Sequence, residues 1–314
     1  MNKLLDKIKT SNNILLLTHE NPDGDAIGSV MGTYFALKGM NKNVDCVVPE
    51  FPETFLFLEG INNIIKESNK TYDLAIILDC SSIIRIGMTN NELDRCQEVM
   101  VIDHHASNTK FGNINYVLEK VSSCCQVLYY LFKEWNIPIT TELGEALATG
   151  LLTDTAGFRN DNIDKDSFIM AAELMEHGVN MHKVCYYALS ERTMAQYYLM
   201  KIALEHLEMF DDGKIAFSYI TEKEMQECNA KMGDHEGLVD IGRYVKGVEA
   251  SIFIREDKGI YRISLRSNGK VDVNLIAQKF DGGGHKMAAG IKMSGNYDEI
   301  KASIIEAVTK ELSK

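Results

Sequence analysis

His19, Asp23 and Asp25 fall within seven residues in the stretch LLLTHENPDGDAIGS, directly after a short apolar run. Asp79 closes a second apolar run, TYDLAIILDC, and Asp103, His104 and His105 close a third, EVMVIDHH. Asp154 follows in TGLLTDTAGF. A lone aspartate after a strand is ordinarily a helix cap or a turn former. Carboxylates and imidazoles at several strand ends at once point to something else. Packed together without compensation, the carboxylates would force protons onto one another. Divalent cations remove that conflict, and oxygen donors with a few imidazoles suit Mn²⁺, Mg²⁺ or Zn²⁺-type ions without any thiolate. There are more donors than one ion needs. Two ions a few ångströms apart would activate a bridging water and hold a phosphoryl oxygen.

The elements that must bring these residues together are legible as patterns. NILLLT, NVDCVVP, TYDLAIILDC and EVMVIDHH read as strands, the last two as continuous apolar runs expected where both faces are covered. AIGSVMGTYFALKGM between the first two reads as a helix. Strands alternating with helices predict an α/β domain with a parallel, doubly wound sheet. In such a sheet the loops at the carboxyl ends of the strands share one edge, where the ligand crevice forms. That edge would gather the acidic residues and histidines named above.

From about Ser122 the pattern turns helical, through CQVLYYLFKEW, ELGEALATGLLTDT and KDSFIMAAELMEHG. ERTMAQYYLMKIALEHLEMF is expected to be one long helix joining two domains. Strands return in DDGKIAFSYIT, and VEASIFIREDKGIYRISLRSNG reads as a hairpin turning at Asp257, Lys258 and Gly259. A helix in DVNLIAQKF, a glycine-rich loop leading into a strand in DGGGHKMAAGIKM, and a closing helix in YDEIKASIIEAVTKEL complete the chain. The expected division is a domain over 1–190, a helical linker over 191–211 and a second domain over 212–314.

Composition narrows the partners. The 314 residues allow two ordinary domains, each with its own core. A net charge of −12 argues against binding long duplex DNA, which needs many lysines and arginines at phosphates. A short nucleotide held by a few local cations remains compatible with it. Seven scattered cysteines without a CxxC pair fit a reduced, cytoplasmic setting. No stretch approaches the roughly 20 apolar residues of a membrane span, so no membrane partner is expected.

Taken in order, THENPDGDAIGS, LDCSS, IDHHASN and TGLLTDTAGF resemble the four motifs of the DHH phosphoesterase superfamily, and FDGGGHKMAAG resembles the glycine-rich motif of its DHHA1 domain. The two-domain length is similar to that of NrnA-type oligoribonucleases (nanoRNases), which also dephosphorylate 3′-phosphoadenosine 5′-phosphate. The resemblance implies a DHH catalytic domain, a smaller α/β DHHA1 domain with a mixed sheet, and a substrate cleft between them. It implies two Mn²⁺ ions, with Mg²⁺ or Co²⁺ as substitutes. His19, Asp23 and Asp79 would hold one ion, and Asp25, Asp79, His104 and Asp154 the other, with Asp79 bridging. Asp103 would orient a ligand imidazole from behind, and His105 would contact the scissile phosphate. Arg266, Ser267, Gly283, Gly284 and His285 would grip the terminal nucleotide and its phosphate. A planar guanidinium matches phosphate bidentately, and glycines let backbone N–H groups approach an anion. Short RNA, dinucleotides and the adenosine bisphosphate are the implied substrates, 5′-mononucleotides the product, and a homodimer the implied assembly.

One segment departs from the pattern. Relatives carry small hydroxyl residues and then an acid at the helix start after DHH, whereas here the stretch is Ser122-Ser123-Cys124-Cys125-Gln126. The serines read as helix caps or phosphate contacts. Two alternatives lie within the same chemistry: a linear or cyclic dinucleotide phosphodiesterase, and a pure nucleotide phosphatase. A third, from another class, is a non-catalytic nucleotide sensor. The complete set His19, Asp23, Asp25, Asp79, His104, His105 and Asp154 argues against the sensor.

Overall fold

Residues 2–86, 92–231 and 233–314 are described by a computed structural model. The chain divides into two units, Met1–Glu191 and Arg192–Lys314. In the first, helix α1 (Asn2–Thr10) leads into β1 (Asn13–Leu17), followed by α2 (Gly24–Gly39), β2 (Asn43–Val47), β3 (Ile64–Ile65), β4 (Leu74–Leu78), β5 (Val99–Asp103) and β6 (Ile114–Val117). The strands form one sheet in the order β3-β2-β1-β4-β5-β6, parallel throughout. The order reverses between β1 and β4, which is the switch point where a ligand crevice opens. Apolar alternation is absent from β4 because both its faces are covered: all of Leu74–Leu78 is buried.

Four more helices complete the unit: α3 (Cys124–Glu134), α4 (Thr141–Asp154), α5 (Lys165–Glu176) and α6 (Met181–Cys185). Residues of all six helices pack with Ile14, Leu16, Ile76 and Met100 on one face of the sheet. The other face, with Leu15, Leu17, Ile77 and Val101, is covered by short segments carrying Tyr72, Cys80, Ile86, Leu93 and Phe111. The doubly wound strand order is therefore present with its helices gathered on one side among the described residues.

The tightest helix pair is α2 on α4. Gly24, Gly28 and Gly32 recur every fourth residue and share one face of α2. A methyl group on Gly24 would meet Thr153, on Gly28 the Ala146 carbonyl, and on Gly32 Leu147, so the three glycines are what lets the backbones approach. This pins Asp25, in the first turn of α2, against Asp154, the last residue of α4.

The second unit contains α7 (Met194–Glu205), β7 (Glu208–Phe210), β8 (Ile215–Ile220), α8 (Glu222–Glu227), α9 (Leu238–Arg243), β9 (Ala250–Asp257), β10 (Ile260–Ser267), α10 (Val273–Gln278), β11 (Gly283–His285), β12 (Ala288–Met293) and α11 (Tyr297–Leu312). Its mixed sheet runs β11-β12-β10-β9-β8-β7, with only β8 and β9 parallel. The β9–β10 hairpin turns through Lys258 (φ 52°) and Gly259 (φ 77°), the left-handed pair that a two-residue loop needs. One face packs α10 and α11 through Ile276, Ile300 and Ile304.

Two expectations change here. The stretch set apart as one long linking helix is not one helix. Thr193 caps α7 in a reciprocal box with Gln196, the helix ends at Glu205, and Glu208–Phe210 pairs with β8. Leu199 and Ala203 of α7 pack on Ile220, Val239 and Phe253, so the helix belongs to the core of the second unit. The glycine-rich loop is also more ordered than expected, because Gly283–His285 is itself a strand paired with β12. Gly282 and Gly284 lie so close to β12 that a methyl group on either would strike its backbone carbonyls.

Candidate metal centre

Each of the strand-end residues reaches the β1/β4 switch point by a local device. Asp23 is the N-cap of α2; its Oδ1 accepts the Asp25 and Ala26 N–H groups at 3.0 Å. His19 Nδ1 donates to the Glu20 carbonyl at 2.8 Å, which turns Nε2 to Asp79 Oδ2 at 3.6 Å. Asp79 stands in the left-handed region, φ 52°, a conformation that costs little for aspartate and much for most other residues.

The histidine pair is built differently. Asp103 ends β5 fully buried, and its Oδ1 accepts from the His104 backbone N–H at 2.8 Å and meets His105 Nδ1 at 2.7 Å. Its Oδ2 accepts from Asn108 Nδ2 at 2.6 Å, and the same amide reaches the Cys80 carbonyl at 3.1 Å. The His104 ring hydrogen-bonds the Val121 backbone. Its Nε2 lies 3.5 Å from Asp79 Oδ1, 3.6 Å from Asp154 Oδ2 and 3.8 Å from Asp25 Oδ2. Asp103 thus orients His105, whereas the expectation had it behind a metal-binding imidazole. The Val121 backbone takes that part for His104.

Asp25 is held from the far end of the fold. Its Oδ2 accepts the Cys124 N–H at 2.6 Å and its Oδ1 the Cys125 N–H at 2.9 Å. These are first-turn donors of α3, so the carboxylate sits on the positive end of a helix. Ser123 caps the same helix through Gln126 N–H at 3.0 Å, and Gln126 turns back to accept from Ser122 N–H at 2.7 Å. The stretch that lacks the usual acid therefore closes on itself: both serines are fully buried and serve the cap, leaving no phosphate contact for them. Both cysteines are free thiols, fully buried.

The electrostatics sort the carboxylates. Burial opposes ionisation of Asp79, but His19, His105 and His104 outweigh it and hold the carboxyl below its usual range. Burial, then the Asp79 charge, pushes Asp25 up to about 7. Burial, Asp25, Asp23 and Asp79 push Asp154 well above the carboxylate range. Burial lowers the basicity of His19, His104 and His105, yet the surrounding carboxylates raise all three.

This arrangement fits divalent ions on its own terms. His19, Asp23 and Asp79 present ligand atoms within 4.8 Å of one another, and so do Asp25, His104 and Asp154, and Asp79, Asp103 and His105. Asp79 Oδ1 is buried without a hydrogen-bond partner, which is a costly state for a carboxylate oxygen unless a cation is its partner. The two Asp79 oxygens face different imidazoles, Oδ2 toward His19 and Oδ1 toward His104. The donors are oxygen and imidazole nitrogen, the set that suits Mg²⁺, Mn²⁺ or Zn²⁺.

Substrate-grip candidates lie in the second unit. Arg266 and His285 both pair across strands with Ala288, so they share a row and a face with one small residue between them. Gly283 and His285 are exposed, and Arg266 and Gly284 half-buried. Ser267 is different. It is fully buried and its Oγ accepts the Gly269 and Val271 N–H groups at 3.0 and 3.3 Å, so it shapes the turn after β10 and is not exposed to grip a ligand. Sequence reasoning also passed over Asn108, although it stands three residues beyond His105 in IDHHASN, and Gly150, whose role has no local signal.

A two-unit α/β chain with this oxygen and imidazole donor cluster at the switch point has the makings of a metal-dependent hydrolase. Residues 13–151 match the N-terminal domain of the DHH family and residues 212–314 the DHHA1 domain. A protein of Thermus thermophilus named bifunctional oligoribonuclease and PAP phosphatase NrnA is 31% identical over 304 residues, 96% of this chain and 90% of the relative. A Bacillus subtilis protein of the same name is 25% identical over 98% of both chains. The crystal structure of an exopolyphosphatase-related protein from Bacteroides fragilis superposes with a TM-score of 0.90 at 27% identity, covering 99% of this chain and 96% of that one. The chain belongs to the DHH family of phosphoesterases, with a DHHA1 domain at its C-terminal end.

Proposed function

We propose that this enzyme degrades short oligoribonucleotides to 5′-mononucleotides and also removes the 3′-phosphate of 3′-phosphoadenosine 5′-phosphate, with two Mn²⁺ ions, in the cytoplasm. The observation that carries the reading is the division of Asp79 between two donor sets, one oxygen to each. His19, Asp23 and Asp79 would hold one ion; Asp25, Asp79, His104 and Asp154 would hold the other. Bound there, such ions polarise a phosphoryl oxygen and make water a nucleophile near neutral pH.

The protein's own groups do the rest. Asp103 fixes the His105 ring through Nδ1, and Nε2–H would donate to a non-bridging oxygen of the scissile phosphate as charge builds there. Asp25 and Asp154, whose carboxyls are raised in pKa, would give up their protons in holding a cation. Arg266 and His285, in one row beside Gly283 and Gly284, bind the terminal nucleotide and its phosphate. Few phosphates are engaged at once, in keeping with a net charge of −12.

The test is a product time course with purified protein and Mn²⁺ on 5′-labelled RNAs of two, five and twenty-four nucleotides and on the adenosine bisphosphate, with an EDTA control. Loss of the short RNAs to mononucleotides and of the bisphosphate, both abolished by EDTA and by Asp79→Asn, is the expected result. Asparagine is the substitution of choice because it tolerates the left-handed backbone at this position, where alanine would add strain. Turnover of the bisphosphate alone would make the enzyme a nucleotide phosphatase, and no turnover with metal bound would favour the sensor.

A further inference from the structure

The second unit holds a cavity of about 90 Å³ that the phosphoesterase chemistry leaves unused. It lies at the ends of β8, β9 and β10 beside the first turn of α11, and Tyr219, Tyr261, Tyr297, Thr221, Ile254 and Glu256 line it. Side chains alternate along β10, so Tyr261 and Arg266 lie on opposite faces of the sheet. A ligand here would not touch the substrate grip.

Three features describe what the cavity selects. Its rings are inclined walls and not a stack: Tyr219 and Tyr297 have centroids 5.5 Å apart at 55°, and Tyr261 and Tyr297 5.8 Å apart at 49°. Tyr219 is fixed from its far side by His206, stacked at 4.1 Å and 7° and hydrogen-bonded to the Tyr219 carbonyl at 3.0 Å. Second, the lining contains one charged residue, Glu256, and no lysine or arginine. Third, the Tyr297 hydroxyl is buried without a hydrogen-bond partner. Burial, with Tyr219, Glu208 and Asp298 nearby, pushes this phenol up, so the ring stands at the cavity as a neutral wall.

Electron-rich ring faces beside a carboxylate repel anions and attract an ammonium group. The volume, about 90 Å³ against the roughly 150 Å³ of a cavity that holds benzene, suits an aliphatic amine head better than a nucleobase. The unit already holds one ammonium by the same means: Lys301 Nζ lies 4.6 Å from the Phe217 ring centroid and 2.7 Å from Glu208 Oε1. We propose that this cavity binds the ammonium end of a small aliphatic amine, with Glu256 as counter-ion and the tyrosine rings as walls.

The test titrates propylammonium chloride, and separately 1-propanol, into the full ¹⁵N-labelled chain at constant ionic strength, following the backbone amides of Ile254, Tyr261 and Tyr297. The expected result is saturable shifts at these amides with the amine and none with the alcohol. Glu256→Gln, which keeps the oxygen that accepts the Glu222 N–H, should weaken binding tenfold or more. Equal binding of the alcohol, an unchanged affinity in Glu256→Gln with a native spectrum, or no saturable shift from the amine would each overturn the assignment.

Discussion

Gly150→Ala should disable the site without touching a single donor atom. Gly150 lies on α4 behind Asp25, and a Cβ there would sit 2.4 Å from Asp25 Oδ1 and 2.3 Å from Cys125 Sγ. Ordinary contact requires well over 3 Å, so both atoms, or the α4 backbone between them, must give way by about 1 Å. Cys125 and Asp25 are both fully buried, so relief on either side shifts the first turn of α3 relative to the Asp25 carboxylate. With that shift Asp25 loses one or both of its bonds to the Cys124 and Cys125 N–H groups. Hydrogen bonds to a charged group are worth about 1.5–3 kcal/mol each, and overpacking adds about 1–3 kcal/mol. A loss of stability of about 2–4 kcal/mol is expected after partial relaxation. A displacement of about 1 Å at a reacting centre costs on the order of 10²-fold in rate. The assay is kcat/KM on a five-nucleotide RNA across a Mn²⁺ titration, beside thermal unfolding. Gly39→Ala is the control: nothing lies within 4 Å of its Cβ position at the end of α2, so activity should be unchanged and stability equal or raised by up to about 1 kcal/mol. Turnover of Gly150→Ala within twofold of the parent, with the same Mn²⁺ dependence, would refute the argument that this glycine sets Asp25.

Asn108→Ala removes the amide that ties Asp103 to the Cys80 carbonyl, and kcat should fall by about 10–100-fold with KM little changed; an unaltered kcat would show that Asp103 holds His105 unaided. Arg266→Ala should raise KM more than it lowers kcat, because the guanidinium binds away from the reacting phosphorus; steady-state kinetics on the dinucleotide would show this, and an unchanged KM would remove Arg266 from the grip. His235 is lowered to about 3 by burial and then by Arg255 and Arg262. The unfolded chain takes a proton near pH 6.5 that the native state refuses. The stabilisation is therefore complete above that pH and is lost as pH falls from 6.5 toward 3, by up to about 1.4 kcal/mol per unit. Urea unfolding between pH 7 and 4.5 should show a shallower loss in His235→Gln, and identical slopes would contradict it.

Much of the site was legible because strand ends are legible. An apolar run that stops at a histidine or aspartate fixes both the strand and the edge on which its last residue stands. That is why His19, Asp79, Asp103 and His104 could be placed together from their positions in the chain. Hairpin chemistry worked for the same local reason at Lys258-Gly259. Periodicity failed where a helix ends on a tertiary cue: the apolar residues of 191–210 continue the helical spacing, but Glu208–Phe210 is drawn off to pair with β8. Ser267 is expected in the grip only from the family resemblance, and it is buried beneath its own turn.

By itself, the order of residues determined which side chains could be ligands, which strand each one ends, and the glycine spacing that lets α2 approach α4. It could not determine what holds those ligands. Asp25 is tied to backbone N–H groups 99 and 100 residues away, and a backbone donor has no letter in a sequence. Nor could it assign Asp103 to His105, since both imidazoles follow it and only the path of the chain after β5 decides which ring comes within reach. Composition and local spacing act over a turn or a strand; the balance of charge around Asp79 is set by groups from β1, β4 and β5, and that balance exists only once the sheet has brought them together.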